Sequence, residues 1–158
     1  MKNLRLKLKD ERGFNLIELM IVIAIIGLLI GVGTYAWKAV MQSGNGTAAA
    51  QAVRNIQTLQ SQYAGKNRGK FATFDELITK VSLDDRFKGE TPIVNGYTFT
   101  LTIEEQSGSK QSSYKLTADP IGEDFAKPGV RNFYVDSGSG VIRASDDGNA
   151  ATPLSPSL

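Results

Sequence analysis

A chain of 158 residues has room for one domain with an appended segment. It contains neither Cys nor His, which excludes disulfides, thiolate metal sites and a lipidated Cys, and removes the commonest general base. A net charge of +2 is too small to indicate nucleic acid, so no nucleic-acid partner is expected.

Residues 1–13 carry Lys2, Arg5, Lys7, Lys9 and Arg12 against Asp10 and Glu11, a net charge of +3. An uncharged stretch of nineteen residues, Leu19 to Trp37, follows. As a helix it rises roughly 28 Å, about the hydrocarbon thickness of a bilayer. Basic flanks tend to stay cytoplasmic, so the amino end is expected to face in. A secretory signal peptide and a plain single-span anchor both fit these features. The run is long for a signal peptide, and neither Gly31-Val32-Gly33 nor Thr34-Tyr35-Ala36 makes a convincing cleavage site. Both readings leave Glu18 unexplained, because an ionised carboxylate in an apolar run costs at least a few kcal/mol unless paired.

The stretch Arg12-Gly13-Phe14-Asn15-Leu16-Ile17-Glu18, continuing through Gly27, resembles the class III leader junction of type IV pilins and type II secretion pseudopilins. Asn15 departs from the Thr or Ser that usually follows Phe in that family. The resemblance covers residues 9–33 and is architectural beyond. It implies cleavage between Gly13 and Phe14 by a prepilin peptidase and N-methylation of Phe14. Removing the first 13 of 158 residues would leave a mature chain of 145.

The new amine at Phe14 and the Glu18 carboxylate are spaced i, i+4, on one helix face. Each is costly alone in lipid, and each can neutralise the other. Pairing between neighbouring subunits would set their register. The competing account has Glu18 snorkelling to headgroups.

Gly27, Gly31 and Gly33 each weaken a helix by roughly 1 kcal/mol relative to Ala. They permit close helix packing, or local stretching once assembled. Ser43-Gly44-Asn45-Gly46 is a second weak point, where a kink or break is expected. The chain therefore divides into a cleaved leader (1–13), a transmembrane or assembly half-helix (14–43) and a globular head (44–158).

From Thr47 the pattern returns to amphipathic helix. Ala49, Val53, Ile56, Leu59 and Tyr63 recur at three- and four-residue steps, with Gln60 the polar exception. Gly65 is the expected helix stop, so the helix should end near Ala64. Thr73-Phe74-Asp75-Glu76 reads as a capping box opening a short helix to Val81. Tyr97–Ile103 and Tyr114–Ala118 alternate apolar with polar residues, as half-buried strands do. Arg131–Asp136 and Val141–Ala144 flank Ser137-Gly138-Ser139-Gly140, a hairpin signal. The expected fold is α+β: a long amino-terminal helix whose amphipathic half packs on a four-stranded antiparallel sheet. Asp146–Leu158 reads as a loose tail.

No phosphate loop or nucleophile constellation is present, and no catalytic residue is assigned. Asp84-Asp85 and Glu104-Glu105 read as solvated surface. Major pseudopilins carry Ca²⁺ in carboxyl-terminal loops, and Asp136, Asp146 and Asp147 lie near turns. Their spacing matches no cation loop, so solvated surface is preferred and no cofactor is expected. Asn45-Gly46-Thr47 matches a glycosylation sequon by chance more readily than by design.

The function implied is a structural subunit that polymerises with copies of itself into a type IV pilus. Its other partners would be a prepilin peptidase, inner-membrane assembly machinery and, before assembly, membrane lipid. It would sit in the inner membrane as a single span, then in a cell-surface fibre. The alternatives are a type II secretion pseudopilin and, in a different class, a membrane-anchored periplasmic enzyme. The missing His and Cys argue against the enzyme.

Overall fold

The computed structural model describes residues 15–122, 127 and 129–158. The chain divides into two units, Met1–Ala39 and Val40–Leu158. Helix α1 runs Leu16–Lys66 and α2 runs Phe74–Val81, followed by a 3₁₀ turn at Asp85–Phe87. The strands are β1 (Ile93–Val94), β2 (Tyr97–Glu104), β3 (Ser113–Pro120), β4 (Asn132–Asp136) and β5 (Arg143–Ser145). They form one antiparallel sheet in the order β1-β2-β3-β4-β5. The architecture is α+β, as expected, with five strands rather than four.

The core lies between one face of α1 and one face of the sheet. Ala49, Val53, Ile56, Leu59 and Tyr63 are all buried, in one cluster with Phe99, Leu116, Ala118, Phe133 and Val135. Alternation in β3 puts Tyr114, Leu116 and Ala118 inside and Lys115 outside. Gln60 is fully buried too. Its Nε2 donates to the Ala72 carbonyl at 2.6 Å and its Oε1 accepts from the Ala72 N–H at 3.0 Å. The polar exception therefore clamps the segment after α1 by occupying both backbone groups of a buried residue.

The Thr73–Glu76 capping box is present and α2 ends at Val81, both as expected. Four other expectations need correction. Helix α1 is unbroken at Ser43–Gly46. A Cβ at Gly46 would stand 3.4 Å from the Tyr97 hydroxyl, and one at Gly96 3.3 Å from Asn45 Nδ2. Burial of Ala49 and Val53 in the core, one and two turns further on, overrides the poor helix propensity of this stretch.

The helix stop is not Gly65. Arg68 (φ 56°) and Gly69 (φ 79°) are left-handed, and the Gly69 N–H donates to the Ala64 carbonyl at 2.9 Å, a Schellman closure. Strand β1 is the fifth strand. It joins β2 through Asn95 (φ 51°) and Gly96 (φ 75°), both left-handed as a tight hairpin requires. Nor is the carboxyl-terminal segment loose. The Ala144 N–H donates to the Pro156 carbonyl and the Leu158 N–H to the Ile142 carbonyl, both at 2.9 Å, and Arg143 bridges Ser157. Its backbone covers the β5 edge, and Ala151 is buried.

Candidate functional site

Helix α1 starts on an Asn. The Asn15 Oδ1 accepts from the Ile17 N–H at 3.2 Å, and its carbonyl accepts from the N–H groups of Glu18 (3.0 Å) and Leu19 (3.3 Å). In return, Glu18 Oε2 accepts from the Asn15 N–H at 3.4 Å. Asn15 is thus an N-cap and Glu18 its reciprocal partner at the third helical position. The carboxylate lies beside the positive end of the helix dipole. The spacing Asn15-x-x-Glu18 before an apolar run carries this signal in the sequence, where Asn15 reads only as a departure from Thr or Ser. Gly13 and Phe14, the expected cleavage and methylation positions, lie outside the described residues, and so does any pairing of Phe14 with Glu18.

The described large hydrophobic side chains from Leu16 to Met41 are all exposed, Leu16 by 75% and Trp37 by 69%. The most apolar eighteen residues of α1 have none buried, and the helix is long and apolar enough to cross a membrane. A soluble domain does not leave such a face uncovered. Gly27, Gly31 and Gly33 lie within this stretch, and a Cβ at any of them would meet nothing within 4 Å. Among the described residues, packing therefore places no demand for glycine at these positions.

Residues 8–34 match the family model of the prokaryotic N-terminal methylation motif, the class III leader of type IV pilins and pseudopilins. The amino terminus is of prepilin type. The match spans the last six residues of the expected leader, the junction and the first turns of α1, 27 of 158 residues. No curated protein and no solved structure matches the chain. A prepilin-type amino terminus implies processing by a prepilin peptidase and marks a class of structural subunits. It is consistent with membrane anchoring through the apolar segment.

The remaining candidates sit in the head. Asp136 Oδ1 accepts from the N–H groups of Gly138 (2.8 Å) and Ser139 (2.7 Å), closing the β4–β5 turn. From α1, Gln57 Nε2 donates to the Gly140 carbonyl of the same turn at 2.6 Å. Asp147 accepts from the Ser145 hydroxyl and from the Asn149 N–H. The Ser145 hydroxyl, then the Asn149 groups, hold the Asp147 carboxyl down to about 2. These carboxylates cap turns. Among the described residues, no three His, Cys, Asp or Glu stand together as metal ligands. Asp84 pairs with Arg86 through two contacts of 3.1 Å, and Glu104 pairs with Lys110 and Lys115, all on the surface. The sequon residue Thr47 donates to the Ser43 carbonyl within α1.

Proposed function

We propose that the chain is the structural subunit of a type IV pilus. The observation that carries this reading is the exposed apolar stretch Leu16–Met41, with one carboxylate at its start, directly behind a prepilin-type leader. Cutting ahead of that stretch keeps it on the mature protein, so its apolar surface must be covered first by lipid and then by other copies. Cleavage after Gly13 creates an amine at Phe14, four residues from Glu18. Neutralisation of that amine by the Glu18 carboxylate of a neighbouring copy removes two lone charges from an apolar fibre core and fixes axial register. Gly27, Gly31 and Gly33 let neighbouring helices approach closely in that core. The head stays outside the membrane, and its role is that of a folded surface, not of an enzyme.

Electron microscopy of sheared surface fibres, with mass spectrometry of their subunit, tests the reading. The expected subunit begins at an N-methylated Phe14. A subunit beginning at Met1 or beyond Gly33 would contradict it. The same processed chain found in the inner membrane, without surface fibres but with a secretion defect on its deletion, would assign it to a secretion pseudopilus instead. Substituting Gly13 by a bulky residue should leave the leader attached.

A further inference from the structure

At the carboxyl end of α1 a cleft opens beside the α1–α2 loop and the β2–β3 hairpin. It has two lobes, of about 500 and 330 Å³, that share Phe71, Gln106 and Ser112. Both volumes fall within the roughly 300–1,000 Å³ of small-molecule sites. On the helix side, the Tyr63 carbonyl accepts from Asn67 Nδ2 at 2.8 Å and the Ala64 carbonyl from the Gly69 N–H at 2.9 Å. These bonds hold the turn that carries Arg68, and they occupy carbonyls that would otherwise repel an anion. On the hairpin side, the register Glu104↔Ser113 and the bridge Ser107↔Lys110 set Gln106 opposite Gln111. Their amides therefore stand side by side on one face of the hairpin. Phe71 is half-buried, held edge-to-face by Tyr114 with ring centres 4.8 Å apart. Among the described residues, the side chains of Arg68, Gln106, Gln111 and Ser112 find no hydrogen-bond or ion-pair partner in the chain.

This set of groups specifies a ligand chemistry. Arg68 is the one charged residue among those lining the larger lobe. Its planar fork matches a carboxylate with two parallel hydrogen bonds. Amides and hydroxyls both donate and accept, as sugar hydroxyls do, whereas a phosphate chain offers acceptors alone. An aromatic face gives the apolar side of a sugar ring a surface to rest on. Lys70 and Glu105 line the smaller lobe with opposite charges, which suits a neutral sugar next to the charged one. We propose that the cleft binds an acidic saccharide, with a carboxylate on Arg68, hydroxyls on Gln106, Gln111 and Ser112, and a ring against Phe71. The site lies wholly within the unit Val40–Leu158, so it does not depend on polymerisation.

The test applies the detergent-solubilised full-length chain to an array of uronate-bearing, sialylated and neutral oligosaccharides, with inorganic polyphosphate and oligothymidylate alongside. The tightest saccharide is then titrated against the parent, Arg68→Gln, Gln111→Ala and Arg54→Gln. Arg54 is an exposed α1 residue outside the cleft, so its variant makes the same change of charge elsewhere. Carboxylated saccharides should be retained in preference to neutral ones. Arg68→Gln should weaken binding about tenfold or more, as loss of a charged hydrogen bond does, and Gln111→Ala about threefold. Arg54→Gln should bind as the parent does, and all three variants should keep the parent's melting temperature. Retention of no carboxylated saccharide would overturn the proposal, as would equal retention of neutral ones. Equal loss in Arg68→Gln and Arg54→Gln would also overturn it, because the attraction would then be general to the surface charge. Polyphosphate or oligothymidylate held more tightly than any saccharide would replace the saccharide by a polyanion and overturn it likewise.

Discussion

Two stretches of the same helix make opposite use of apolar residues. From Leu16 to Met41 they lie all round the helix, and every described large one is exposed. From Ala49 to Tyr63 they are confined to one stripe, and that stripe is buried under the sheet. The second stretch is covered by the chain's own sheet, whereas among the described residues nothing buries the first. Residue type alone does not distinguish them, since Ile and Val occur in both. What differs is the width of the apolar face and the presence of a sheet whose alternation matches it.

A charge in the buried stripe should have the largest effect. Ile56→Asp should destabilise the head by about 4 kcal/mol or more, because a carboxylate would enter a core with no partner. Thermal melting of the chain from Gly44 onward measures it, and an unchanged curve would refute the docking of the stripe. Gln60→Leu comes next. It keeps the volume but orphans both backbone groups of Ala72, costing about 3 kcal/mol by the same melt. Leu28→Ala, in the exposed stretch, should leave the head's melting temperature unchanged within about 0.5 kcal/mol in the detergent-solubilised chain.

The smallest effect is a pH dependence. The Asp147 carboxyl is held near 2, below its ordinary 3.8, by the Ser145 hydroxyl first and then by Asn149. A depressed carboxyl adds stability that is fully present above its unfolded value and is lost as pH falls through the folded one. Asp147→Ala should therefore lower the melting temperature slightly at pH 5, and the difference from the parent should shrink toward pH 2. A constant difference across that window would contradict the assignment.

Much of the head was legible because its signals are carried by side chains. The Thr73–Glu76 box, the 3- and 4-residue stripe and the alternation of β3 each state their own geometry. The features that escaped depend on the backbone or on distant packing. Two residues, Ile93 and Val94, are too few to show alternation, although Asn95-Gly96 is a strong hairpin signal in its own right. The carboxyl-terminal segment pairs with β5 through main-chain groups, which any sequence supplies, so its polar composition concealed the pairing. Gly46 reads as a helix breaker until the burial of Ala49 and Val53 just beyond it is known. At the candidate site, Glu18 stood out as a charge in an apolar run. Asn15 did not, because its role is reciprocal to Glu18 and becomes visible only when the two are read as one cap.

An assembly surface made by the exposed stretch requires its single carboxylate, Glu18, to pair with the amine made by processing. Fibre yield from Glu18→Ala, in a strain lacking the parent subunit, tests it most directly. The variant should be inserted and cleaved, since neither the basic leader nor the Gly13-Phe14 junction changes. Its amine would then enter the fibre core unpaired, at roughly 3–5 kcal/mol per subunit, and fibres should be largely lost. Glu18→Asp should be intermediate and Glu18→Gln close to Ala. Normal fibres from Glu18→Ala would contradict the account, leaving Glu18 as a boundary residue reaching headgroups and register to be set by the glycines and the heads.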